Sequence, residues 1–75
     1  METIARKLIE KAYGVKNLMY EMNDFMGENE ALLFLDFDTG RRFLVIRCEK
    51  RKQYILQELI ENGPKYYSFK AAEEV

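Results

Sequence analysis

Two apolar runs around a glycine turn constrain this chain more than any other feature. Ala31-Leu-Leu-Phe-Leu-Asp-Phe-Asp38 precedes Thr39-Gly40, and Arg41-Arg-Phe-Leu-Val-Ile-Arg-Cys48 follows it. Runs of this length, rich in branched and aromatic residues and joined by a short turn, specify a β-hairpin. Two registers compete. A two-residue loop pairs Leu35 with Leu44. A type I turn over Phe37–Gly40 pairs Leu35 with Phe43 and Asp36 with Arg42. The second is favoured, because glycine suits the end of that turn and Asp36 and Arg42 then form a cross-strand ion pair. In either register both faces of the hairpin carry large apolar residues, so a single helix on one face cannot cover them.

The segments around the hairpin read as helices. From Thr3 to Phe25, apolar residues at Ala5, Leu8, Ala12, Val15, Met19, Met22 and Met26 alternate steps of three and four, a heptad seam widened by Ile9, Leu18 and Phe25. Thr3 is its expected N-cap, and Gly14 is a point where it bends or splits. Gly27-Glu28-Asn29-Glu30 reads as a helix stop and polar loop. Lys50–Asn62 is expected as a second helix with the stripe Ile55, Leu56, Leu59 and Ile60, ended by Asn62-Gly63-Pro64. Its start is discordant: Lys50, Arg51 and Lys52 sit where the helix dipole prefers anions. Lys65-Tyr66-Tyr67-Ser68-Phe69 can add a third strand, and Ala71–Val75 reads as a frayed tail or a last helical turn. The expected fold is therefore one α+β domain over residues 1–75. It has a hairpin-centred antiparallel sheet of two to three strands and two or more helices, in the order α-β-β-α-(β).

A chain this short buries only about 60% of its unfolded surface, and its core leaves roughly 3–5 kcal/mol of stability unless something staples it. The common staples are missing. Cys48 is the only cysteine and there is no histidine, so neither a disulfide nor a zinc site of the usual spacing can be read. Self-association remains. A homodimer through the first helix or the outer hairpin face is expected. The lone cysteine fits a reducing compartment. Arg6, Lys7, Glu10 and Lys11 break up any signal-peptide core, and no apolar run approaches the ~20 residues of a membrane span. The expected location is the cytoplasm.

The net charge of −1 conceals segregation. Residues 17–38 hold six acids and no base, whereas residues 39–56 hold six bases and one acid. The basic cluster is Arg41, Arg42, Arg47, Lys50, Arg51 and Lys52. With Tyr54, Tyr66 and Tyr67 as stacking faces it offers a phosphate-binding alternative. The plainer interpretation is a solvated strand end neutralised by the acidic segment before it.

Catalytic chemistry has little to work with. A serine or cysteine nucleophile lacks its commonest base when histidine is absent, and each of Gly27, Gly40 and Gly63 has a turn to explain it. Asp36 and Asp38, two apart on a strand, share a face and with Glu28 or Glu30 form the sharpest Mg²⁺ candidate. Closing the hairpin beside Arg41 and Arg42 explains them as well. No enzyme activity and no cofactor are expected. The expected function is a small regulatory or inhibitory protein of the phage or mobile-element kind, acting by binding another protein. Its interface would draw on Met19, Met22, Phe25, Met26, Phe34 and Phe43, since methionine and aromatic side chains form adaptable apolar surface.

Overall fold

The N-terminal helical stripe ends at Gly14, well short of Phe25. In a computed structural model, which describes residues 1–61 and 67–74 (positions 24, 26, 61 and 67–74 by backbone alone), α1 spans Glu2–Tyr13. Gly14 caps it with φ 68°, a left-handed conformation that only glycine adopts without strain, and its N–H reaches the Glu10 carbonyl at 2.9 Å. The N-cap is Met1, which makes no side-chain cap bond, so Thr3 does not take that role.

Five strands follow: β1 Leu18–Met26, β2 Asn29–Asp36, β3 Arg42–Cys48, β4 Gln53–Glu61 and β5 Tyr67–Glu74. They form one antiparallel sheet in the order β1-β2-β3-β4-β5. The α+β class holds, but among the described residues the order is one helix followed by a five-stranded meander, and the segment expected as a second helix is β4.

Both misread segments have a physical explanation. In β1 the pairing slips between Tyr20 and Met22, so Glu21 is the extra residue of a β-bulge. The bulge turns a two-residue step into three. Met19 and Met22 therefore share a face at a spacing that imitates a helix. In β4, Ile55 and Leu59 lie on one face and Leu56 on the other. A strand with apolar contacts on both faces reproduces the i, i+1, i+4 spacing of a helix. The discordant Lys50-Arg51-Lys52 was the telling signal. These residues lie between β3 and β4, where the Lys52 N–H meets the Glu49 carbonyl at 3.3 Å and Lys52 has φ 51°.

The remaining turns set the registers. Gly27 and Glu28 form a two-residue hairpin between Met26 and Asn29. Positive φ (67°) at Gly27 alone is the signature of a type II′ turn. The segment read as a helix stop is thus a strand reversal. The central hairpin takes neither expected register: Leu35 pairs with Arg42, Phe34 with Phe43 and Leu33 with Leu44. Its loop is Phe37–Gly40, closed by Asp36 N–H to Arg41 C=O and Gly40 N–H to Asp36 C=O, both 2.8 Å. Gly40 ends the loop as expected, with φ 75°. Asp36 and Arg42 fall on opposite faces and do not pair. The last strand runs through Ala71 to Glu74, where a tail or helical turn was expected. Asn62-Gly63-Pro64, Lys65, Tyr66 and Val75 lie outside the described residues.

Helix α1 covers one face of the sheet. Ala5 and Ile9, both fully buried, pack with Leu18, Leu32, Phe34, Phe43, Val45 and Leu56. The opposite face has a smaller cluster of Ala31, Leu44 and Ile46, flanked by Leu33 and Ile55. Among the described residues no helix lies over it, and none is long and apolar enough to cross a membrane.

Ile9→Ala removes the central contact of α1 and is expected to cost about 2–5 kcal/mol, comparable with the whole stability of a chain this size. Gly40→Ala meets no atom within 4 Å, so it should cost only the backbone strain of about 1–2 kcal/mol. Urea denaturation followed by circular dichroism measures both, and a neutral Gly40→Ala would contradict the turn geometry.

Candidate protein-interaction surface

Residues expected at an interface divide sharply. Phe34 and Phe43 are fully buried. They are cross-strand partners beneath α1 and form the core, so as interface residues they are corrected. Tyr20 meets Phe34 edge-on at 5.8 Å, and Tyr13 of α1 lies against Phe43 at 4.5 Å. Met19, Met22 and Phe25 are exposed at 39%, 47% and 65%. All three belong to β1, an edge strand of the sheet. Met26 is also in β1, but its side chain is not among those described.

The three exposed residues do not share a face. Directly paired residues of an antiparallel sheet point the same way. Met19 opposes Leu35 and Met22 opposes Leu33, on the face away from α1; Phe25 opposes Glu30, on the α1 face. What they share is the edge itself, where β1 has no neighbouring strand.

The basic cluster does not form one patch. Arg41 lies on the α1 face, with its guanidinium over the Tyr13 and Phe43 rings at 5.7 and 5.0 Å and paired with Glu58 through Nε and Nη2 at 3.1 and 2.8 Å. The Glu58 hydrogen bond holds its pKa above the ordinary arginine value, against the opposing effect of burial. Arg42 lies on the other face and reaches across β2 to the Glu21 carboxylate at 3.0 Å. Arg47, Lys50, Arg51 and Lys52 cluster at the far end of β3. There Arg47 pairs with Glu49 at 3.1 Å and Lys50 with Glu28 at 3.9 Å. Strand alternation and the length of β3 therefore disperse the cations over two faces and two ends. Tyr54 packs against the core under α1, and the side chains of Tyr66 and Tyr67 are outside the described residues.

The acidic pair diverges too. Asp36 is buried, accepting the Thr39 hydroxyl at 2.6 Å and, more weakly, the Asp38 N–H at 3.4 Å. Asp38 is exposed and accepts the Asn17 amide on both oxygens at 3.0 and 2.9 Å. The Asp36 carboxylate braces the turn from within, and the Asp38 carboxylate ties it to the α1–β1 linker. Among the described residues no three metal-ligating side chains converge.

Two features escaped the sequence reading. Gln53 and Gln57 each bury an Oε1 that has no hydrogen-bond partner among the described residues, on the face away from α1. A desolvated, unpaired acceptor costs about 1–3 kcal/mol. Nothing in the sequence marks them, because the helical reading of β4 hid which face they occupy. The second is a hollow of about 250 Å³ beside β1 on the α1 face, lined by Met1, Glu2, Tyr20, Asn23, Glu30 and Leu32. Comparison with protein-family models, with curated proteins and with solved structures returns no match.

Arg41→Lys loses the bidentate pairing and the ring stacking and is expected to lower stability by about 1 kcal/mol. Lys50→Gln, which removes a fully solvated pair, should change it by less than about 0.5 kcal/mol. Chemical denaturation of the two variants checks the contrast, and equal effects would contradict the structural role of Arg41.

Proposed function

We propose that this chain is a small non-enzymatic protein that acts, as a regulator or inhibitor, by binding another protein along the edge of β1. One observation carries the reading. Met19, Met22 and Phe25 expose large apolar side chains on both faces of an edge strand. A partner docking on either face alone would cover only some of them, whereas a strand added alongside β1 reaches both. An exposed apolar edge is a pairing hazard that folded proteins usually blunt. Here the Glu21 bulge disturbs the first half of β1 and leaves Met22–Met26 regular. The single Cys48, buried and unpaired, supports a reducing compartment such as the cytoplasm.

A homodimer is the second reading, and the face away from α1 favours it. The Leu33, Leu44, Ile46 and Ile55 cluster has no helix over it among the described residues, and Gln53 and Gln57 carry unpaired acceptors there. Rotation of those carboxamides towards docked donors would relieve the penalty.

Met22→Lys and Phe25→Lys change exposed side chains and should leave the melting curve in place. Affinity capture with the unaltered chain should recover a protein that both variants lose. Recovery of nucleic acid without a protein partner, or capture indifferent to both substitutions, overturns the edge-binding reading. For the dimer, sedimentation at up to about 100 μM decides: a strictly monomeric mass removes that reading.

A further inference from the structure

We infer that the partner strand is a basic one, alternating apolar and cationic residues, and that it is not a second copy of β1. The inference rests on the edge-binding reading above and adds the chemistry of the partner.

Charge complementarity is the first argument. From Asn17 to Asp38 the chain has six acids and no base, and β1 and its turn to β2 lie inside that stretch. Two of these acids are in ion pairs, Glu21 with Arg42 and Glu28 with Lys50, and Asp36 and Asp38 accept hydrogen bonds from Thr39 and Asn17. Glu30 has none among the described ion pairs, although Arg47 stands directly opposite it on β3. Arg47 turns instead to Glu49. Glu30, partly buried, thus has no ion pair among the described residues and sits one strand in from the free edge, opposite Phe25.

The hollow is the second argument. Met1, Tyr20 and Leu32 give it apolar side chains, and Glu2 and Glu30 give it two acidic groups against the single α-amino group of Met1. Among the described residues Glu2 is held by an i,i+4 contact to Arg6 at 3.4 Å. Lysine and arginine bury an aliphatic stem while keeping the charged head at a polar rim, and this hollow has both parts. A strand paired with Met22–Met26 alternates its side chains between the two faces. Those on one side meet Met19 and Met22 and are best apolar. Those on the other side meet Asn23 and Phe25, across whose ring a lysine or arginine stem reaches towards Glu30 one strand behind, and are best cationic.

Self-pairing meets neither need. The β1 strand of a second copy offers Glu21 and Asp24 and no base, so antiparallel pairing of two β1 strands would concentrate four acids at one seam. Like charges across a seam are destabilising.

The test uses the full chain and two labelled, end-blocked peptides, Lys-Val-Lys-Val-Lys-Val-Lys and Glu-Val-Glu-Val-Glu-Val-Glu, titrated by fluorescence anisotropy. The lysine peptide should bind at least about ten-fold more tightly, more weakly as salt rises, and with amide shifts confined to β1 and the hollow. Glu30→Gln should reduce that preference several-fold without altering the melting curve. Blocking every second peptide amide with N-methyl should remove binding. Equal affinity for the two peptides, indifference to Glu30→Gln, shifts at β5 instead of β1, or a dimer in which the outward β1 amides are protected from hydrogen exchange would each overturn the inference. If the lysine peptide fails while Met22→Lys and Phe25→Lys still abolish partner capture, the basic chemistry falls and the edge-binding reading stands.

Discussion

The cross-strand pair Phe34–Phe43 is the contact on which the rest of the structure depends. Each ring is wholly buried, and each element near the core meets it. Tyr20 brings β1 to Phe34, and Tyr13 brings the end of α1 to Phe43. Arg6 of α1 lies over Phe34 at 5.5 Å and also donates to the Leu18 carbonyl, which fixes the helix to the start of β1. Arg41 lies over Phe43 and holds β4 through Glu58. Aromatic contacts of this kind add about 0.5–1.5 kcal/mol each beyond the area they bury, and cation–π contacts add comparable amounts when partly desolvated. In a domain of this size those increments are a large share of the total.

Anchoring α1 over this pair also decides which surfaces remain. A helix of twelve residues, about 18 Å long, cannot cover both faces of a five-stranded sheet. It shields one face near β1–β3 and leaves the other to a smaller cluster around Leu44 and Ile46. Because β1 is the first strand of a meander, it has a neighbour on one side only. Its apolar residues are thus exposed by topology and not by an unusual composition. The same pleat separates Arg41 from Arg42, so neighbouring cations in the chain serve different faces, one pinning the core and one spanning β2 to Glu21.

The central hairpin was legible in the sequence because its signal is local: two apolar runs and a glycine that must take positive φ. Its register was not. Either loop read from the sequence closes the turn, and what selects Leu35 opposite Arg42 is the placement of Phe34 and Phe43 together under α1, a contact with a distant segment. The strands β1 and β4 were lost for a related reason. Apolar spacing distinguishes helix from strand only when one face is buried and the pleat is unbroken. The Glu21 bulge breaks the pleat in β1, and apolar residues on both faces of β4 remove the alternation. The interface residues fared accordingly. Met19, Met22 and Phe25 lie at the surface while Phe34 and Phe43, of the same side-chain types, are core. Side-chain chemistry could not separate them.

The amino-acid sequence by itself determined the α+β class, the central turn at Gly40, the helix stop latent at Gly14, and the division of charge along the chain. Each of these is a property of a few neighbouring residues and their backbone preferences. Only the tertiary structure decided that residues 18–26 and 53–61 are strands, that the six cations disperse while Glu30 has no ion pair among the described residues, and that the exposed methionines border a free sheet edge. Those outcomes depend on which segment each strand pairs with, and pairing is settled by long-range burial around Phe34 and Phe43, a term that no local window of sequence contains.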